Sequence, residues 1–181
     1  MPLVRQQTGY SCGAAALLSV LRYWRAFDGD EKALYGLLDT TPADGTDPQK
    51  LAAGAKSFGL KAEWRENLAL ADLRSALERG DTPILDIEAW PDAGAKKISW
   101  LDDWDDGHYA VLIGMDSGFA YFMDPSSDGK YAYIPLPELA DRWHDVETRG
   151  GQSRRYVHFA VFIHGDREPA AAPRPPLQRM L

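Results

Sequence analysis

RQQTGYSCGAAALLSVLRYW, residues 5–24, carries the chain's single cysteine and a pattern of apolar side chains that fixes how the rest is read. Ala16, Leu17, Val20, Leu21 and Trp24 recur at three-and-four spacing, which predicts a helix from Cys12 to about Phe27 with one face in a core. A helix that begins at Cys12 sets the sulfur among unpaired backbone N–H groups at the positive end of the helix dipole. That position favours the thiolate over the thiol. Gly13 leaves room for a substrate backbone beside the sulfur, and Ala14, Ala15 and Ala16 let the helix lie close against a sheet. Taken alone, Cys12 is more simply read as a small apolar residue packed in a helix. Its partners must therefore come from elsewhere in the chain.

Upstream, Gln6 shares a segment with Thr8 and Gly9 that is able to turn back over the helix start. A side-chain amide there, together with the backbone N–H of Cys12, makes an oxyanion hole; Gln7 competes for the same role. Downstream, β-branched and aromatic runs predict strands: PILDIEAW from Pro83, HYAVLIGM from His108, FAYFMD from Phe119 and HFAVFIHG from His158. Asp116, Ser117 and Gly118 form a turn between the second and third of these, which predicts an antiparallel hairpin. His108 opens one arm just after Gly107, and Asp124 closes the other just before Pro125. Such a hairpin sets a carboxylate beside an imidazole, the arrangement that orients a general base for a nucleophile. His158 also opens a strand and is the runner-up base, but no Asp-ended strand follows it.

Further helices are predicted over 31–38, over 48–58 with Asp47 as cap and Pro48 in the first turn, and over 69–79, with Gly59 and Gly80 as stops. Helices first and an antiparallel sheet afterwards describe an α+β domain. Residues 1–165 read as that domain and 166–181 as a Pro-rich tail, ending EPAAAPRPPLQRML, that is largely disordered or extended.

Composition bounds the partners. With 181 residues, 45% hydrophobic and 26% charged, the chain suits one ordinary globular domain. A net charge of −7 argues against nucleic acid and anionic membrane surfaces. No apolar stretch approaches membrane-span length and the N-terminus lacks an apolar signal core, so a cytoplasmic protein is expected. One cysteine excludes an internal disulfide, and His144, His158 and His164 have no second cysteine to complete a zinc site. No metal or cofactor is expected. Asp102, Asp103, Asp105 and Asp106 surround Trp104 immediately before His108. This run lacks EF-hand spacing. It reads either as a solvated loop or as one that caps the cleft, binds a basic substrate segment and favours the imidazolium of His108. Trp90, Trp100 and Trp104 are candidates to line a groove, with core packing as the default.

RQQTGYSCGAAALLSVLRYW, then DGHYAVLIGMD, then YFMDPSS together resemble the papain-like peptidase family of the bacterial double-glycine leader peptidases, domains that process bacteriocin precursors. The resemblance runs over about residues 3–165. It implies a papain-like fold in which N-terminal helices pack on a C-terminal sheet, with Cys12 as nucleophile, His108 as base, Asp124 as the orienting carboxylate and Gln6 in the oxyanion hole. Gly13, Gly107 and Trp104 are the candidates for substrate contact. In transporter-associated members membrane helices and an ATPase follow the peptidase domain, and this chain reads as a stand-alone member. The expected reaction is hydrolysis of a peptide bond in a peptide or protein, with a double-glycine-like motif as one candidate cleavage site. Two other readings stay open: an acyl transferase that captures the same thioester with an amine, and a peptide-binding module without catalysis. Retention of all four positions weighs against the last.

Overall fold

A computed structural model describes residues 1–91, 99–171 and 175–181. The helix predicted at the cysteine is α1, Cys12–Tyr23, and its residues from Gly13 to Leu21 are all buried. A short 3-10 turn, Glu31–Leu34, stands where a longer helix was expected over 31–38. The chain needs only one turn there to drive Leu34 and Leu38 into the core, and it leaves through Asp39 at a positive φ of 48°. Helices α2, Pro48–Ser57, and α3, Leu70–Glu78, fall where their caps and stops predict. The Asp47 side chain accepts from the N–H of Gln49 at 2.8 Å and closes the first turn of α2. Asp47→Ala is expected to destabilise the protein by about 0.5–2 kcal/mol, read as a lower urea midpoint with an unchanged slope.

Among the described residues seven strands form one sheet: β1, Lys61–Arg65; β2, Thr82–Glu88; β3, Gly107–Met115; β4, Phe119–Met123; β5, Tyr131–Pro135; β8, Ala160–His164; and β9, Leu177–Arg179. Their order is β1-β8-β2-β3-β4-β5-β9, antiparallel except for the parallel pair β5 and β9. Between β5 and β8 come a short helix α4, Leu136–Arg142, and a separate hairpin of β6, His144–Arg149, and β7, Gln152–Val157.

The sheet is covered on both faces, which is why its central strands read as apolar runs. On one face α1 and α2 pack with Ile84, Val111, Met123, Val161 and Ile163; on the other, Leu85, Ile87, Leu112, Phe122 and Phe162 pack with α3 and α4. The tail departs from its expectation. Leu177, Gln178 and Arg179 carry free backbone N–H groups just beyond Pro175 and Pro176, and they pair with the open edge of β5 while Met180 is fully buried. The sheet thus extends past residue 165, and the segment 177–181 belongs to the folded body.

Of the described residues, no helix is long and apolar enough to cross a membrane.

Candidate active site

The β3–β4 hairpin turns as its sequence predicts. Asp116 bonds back to Phe119, and its carboxylate accepts from the N–H groups of Gly118 and Phe119, each at 2.8 Å. Near the turn Met115 faces Ala120 and Gly114 faces Tyr121; past Ile113 the register slips, and Leu112 faces Phe122 and Val111 faces Met123. This bulge decides the site. One step further, the slipped register sets Asp124 opposite Ala110, on the same face of β3 as His108, because side chains alternate with a period of two. Had the register at the turn persisted, Asp124 would lie opposite Val111 and point to the other face.

His108 Nε2 lies 2.7 Å from Asp124 Oδ1. Both groups are sealed from solvent, at 5% and 0% exposure. Asp124 also receives the N–H of Ser126 on Oδ1 at 2.9 Å, and the Ser127 hydroxyl at 2.7 Å and the Trp90 indole N–H at 3.0 Å on Oδ2. Four donors converge on one carboxylate, so its orientation is fixed. The Cys12 thiol, half-buried at the start of α1, makes a hydrogen bond with the His108 ring, and with Nε2 committed to Asp124 the nitrogen facing the sulfur is Nδ1.

Burial works against a charge on His108, but the Asp124 carboxylate, and after it the Cys12 sulfur, outweigh burial and raise the imidazole pKa to about 10. Burial likewise pushes Asp124 up, yet the His108 ring, the Ser126 N–H and the Ser127 hydroxyl hold it below the usual carboxylate value. The charges that act most on His108 are those of Asp124 and Cys12, and the acidic run is not among them. Asp103 is buried and its carbonyl meets His144 Nε2 at 2.7 Å, while Asp106 bonds through its backbone to Glu88 and Ala89. The run is folded against the body, with Asp102 and Asp105 left exposed.

Gln6 and Gln7 part company. Gln7 turns its backbone N–H to Glu31 and its amide to Asp30, away toward the 3-10 turn. Gln6 bonds through its N–H to the Pro125 carbonyl, accepts from the Ser126 hydroxyl at 3.1 Å and donates one amide N–H to the Thr8 carbonyl at 2.7 Å. Its second amide N–H is uncommitted by these bonds, and the side chain is tied to the loop that carries Asp124. Ser11, which precedes the helix, makes no capping bond because its hydroxyl is engaged with Thr8.

The three candidates for substrate contact each lie against other residues of the chain. A Cβ on Gly13 would come within 2.6 Å of Thr46, so the space beside it is filled by protein. A Cβ on Gly107 would come within 2.4 Å of the Asp145 carboxylate. Trp104 stacks on His144 at 4.1 Å with the Arg155 guanidinium on its ring at 4.4 Å. Trp100 packs under Arg142, and His158 stacks on Trp143 with Nδ1 at 2.9 Å from the Leu68 carbonyl, which removes it as a base.

The sequence reading missed the groups that grip Asp124. Ser126 was within reach of it, since an Asp side chain accepting from the N–H two residues on is an ordinary Asx turn. Trp90 carried no such sign. It precedes Pro91, where extended backbone is the norm, but stands at φ 62°, held by its N–H to the Leu181 carbonyl and its indole to Asp124.

Near Cys12 lies a second, buried set of acids. Burial, then repulsion among them, pushes Asp86 well above the usual carboxylate value, Glu88 to about 9 and Glu147 to about 7, and burial takes Asp145 to about 6.

A family model described as the Peptidase C39 family matches residues 1–147. The chain is similar in structure to the peptidase domain of Streptococcus ComA, a bifunctional ABC transporter involved in a quorum-sensing pathway, with TM-score 0.65, 18% identity, and coverage of 91% of this chain and 98% of that one. It is also similar to a putative C39-like peptidase from Bacillus anthracis, at TM-score 0.61 and 16% identity, covering 92% and 95% of the two chains. A third similar structure is a double-glycine-motif protease of an AMS/PCAT transporter in complex with its leader peptide, at TM-score 0.57 and 19% identity, covering 90% and 91%. At these identities the likeness speaks for the fold. No curated protein matches the chain.

Proposed function

The chain belongs to the peptidase C39 family, and from that premise we propose that it is a cysteine peptidase that cuts a peptide through Cys12, His108 and Asp124, with Gln6 in the oxyanion hole. The observation that carries this reading is the buried His108 ring, bonded to Asp124 at 2.7 Å on one side and to the Cys12 thiol on the other.

The reaction starts from protonated His108 and the thiolate form of Cys12. The sulfur attacks the scissile carbonyl carbon, and the carbonyl π electrons move onto oxygen. That oxyanion is met by the Cys12 backbone N–H at the uncapped start of α1 and by the uncommitted amide N–H of Gln6, donors of the kind that stabilise developing charge. The His108 imidazolium gives its proton to the departing amine, the C–N bond breaks and a thioester remains. Neutral His108 then takes a proton from water, whose oxygen attacks the thioester and releases the acid and the thiolate. Asp124 keeps the ring in one tautomer throughout, since Nε2–H is bound to it and Nδ1 faces the chemistry.

The substrate proposed is an extended peptide bearing a double-glycine-like motif, a choice supported by the similar protease whose structure holds a leader peptide. The test is incubation with leader-type and scrambled peptides, with products weighed by mass spectrometry. Free-acid products after the glycines are expected, with cleavage stopped once one equivalent of iodoacetamide has labelled Cys12. Products joined to an added amine in place of water would favour acyl transfer, and full cleavage by the alkylated protein would exclude a thiol mechanism altogether.

A further inference from the structure

Two strands with acids at alternate positions meet across a narrow gap. Asp86 and Glu88 lie two apart on β2, Asp145 and Glu147 lie two apart on β6, and the β6–β7 hairpin packs over β2 and β3. Carboxylate oxygens of Asp86, Asp145 and Glu147 lie within 4.8 Å of one another. Asp86 is 0% exposed and, among the described residues, neither of its oxygens has a hydrogen-bond partner; Glu88 Oε1 has none either. Tyr109, directly across from Asp86, spends its one hydroxyl proton on Glu147 Oε1 at 3.1 Å. Among the described residues the cation facing these acids is Arg149, 3.8 Å from Glu147 Oε2. Gly107 completes the enclosure, because any side chain there would drive the Asp145 carboxylate out of the gap.

A buried carboxylate with no donor is costly, and one proton bridging two acids still leaves the remaining oxygens facing each other. A cation satisfies them together. We propose that Asp86, Asp145 and Glu147, with Glu88 at their side, form a binding site for calcium that pins the β6–β7 hairpin to the sheet. The donor set contains only oxygen, which excludes a preference for soft metals. Calcium accepts six to eight oxygens in irregular geometry, whereas magnesium demands an octahedron and keeps its waters, which a closed gap does not accommodate. The role is structural. Asp86 and Tyr109 adjoin Ile87 and His108 in the β2–β3 register, so holding this gap also holds the strand end that bears His108.

The test starts from protein stripped with a chelator and dialysed, then titrated with calcium chloride while thermal unfolding is followed. At a hundredfold excess over the dissociation constant the unfolding midpoint is expected to rise by about 5–10 °C, with magnesium giving a smaller rise. Terbium is expected to bind at one equivalent, with luminescence sensitised by Tyr109 and quenched by added calcium. Asp86→Asn keeps the shape and is expected to lose the calcium response; Asp102→Asn, an exposed acid outside the gap, is expected to keep it. A midpoint indifferent to calcium, or a response that survives in Asp86→Asn, overturns the proposal and leaves the acids held by protons alone. Should Asp86→Asn fail to fold, terbium decides with the unaltered chain, where absence of one-equivalent luminescence overturns the site. A magnesium shift equal to that of calcium overturns the choice of ion.

Discussion

Alanine at Cys12, alanine at His108, and both together are expected to lower kcat/KM for peptide cleavage by the same amount, about 10⁴-fold or more. The reason is that the two side chains form one reacting unit. Without the imidazole the sulfur has no acid to deliver a proton to the leaving amine, and without the sulfur the imidazole has nothing to activate, so either change removes the covalent path entirely. What remains in each variant is binding and any oxyanion stabilisation by Gln6 and the helix start. The measurement is steady-state cleavage of one peptide by the two single variants and the double variant, with urea unfolding to confirm that each is folded. Folding is expected to survive in all three. Cys12 is a half-buried, small side chain, and in His108→Ala the Asp124 carboxylate keeps three donors from Ser126, Ser127 and Trp90. If the double variant fell below the unaltered protein by the product of the two single losses, the residues would be acting separately, and the proposed ion pair would be wrong.

The parts of the fold that were legible in the sequence are those where local pattern and global burial agree. α1 has a helical stripe and α2 and α3 a cap or a stop, and β2, β3, β4 and β8 lie in a sheet covered on both faces, so their sequences are rich in apolar residues, with Asp86, Glu88 and His108 among the exceptions. Of the strands that were missed, β1, β6 and β7 are polar, whereas β5, YAYIP, is an apolar run that the sequence reading did not single out. KAEWR of β1 sits at a sheet edge, and HDVETR with QSRRYV form a hairpin that buries few of its side chains, so an apolar run was the wrong sign to look for. α4 is only seven residues and begins beside prolines.

The site shows the same division. Cys12, His108 and Asp124 were legible because a helix start, a strand start and a strand end each have a sequence mark. What joins the last two does not. A regular hairpin closed at residues 116–118 would have turned Asp124 to the wrong face, and only the slip at Ile113 brings it to His108. The one local sign of that bulge is Gly114, since a glycine inside a strand often marks one, but it does not say which way the register moves. Gly13 and Gly107 were named as candidates for substrate contact, and the neighbours that face them are Thr46 in one case and Asp145 in the other; such contacts over long sequence separation lie outside any local pattern.

Asp124→Asn is expected to convert a broad pH–rate profile into one that fails on the alkaline side. The imidazolium of His108 persists to about pH 10 because the Asp124 carboxylate, with the Cys12 sulfur, overcomes the burial that disfavours it. An amide in the same place keeps the ring oriented through its carbonyl oxygen but removes the charge, so burial is opposed by Cys12 alone and the pKa is expected to fall by about 1–3 units. The loss in kcat/KM is then expected to be about 2–100-fold near pH 9 and to shrink toward pH 6, where the ring is protonated in both proteins. Stability follows the same window. His108, raised above its ordinary 6.5, contributes stability that is full below that value and lost as pH rises through about 10, while Asp124, lowered from 3.8, contributes above that value and loses it as pH falls. The deficit of Asp124→Asn in unfolding free energy is accordingly expected to be largest between those limits and to narrow toward both ends. The amide nitrogen will also face the Trp90 indole N–H, two donors without an acceptor, a penalty that does not vary with pH. That separates the two contributions: a deficit that stays flat from pH 5 to pH 10, with no movement of the alkaline limb, would mean that Asp124 acts on His108 through shape alone.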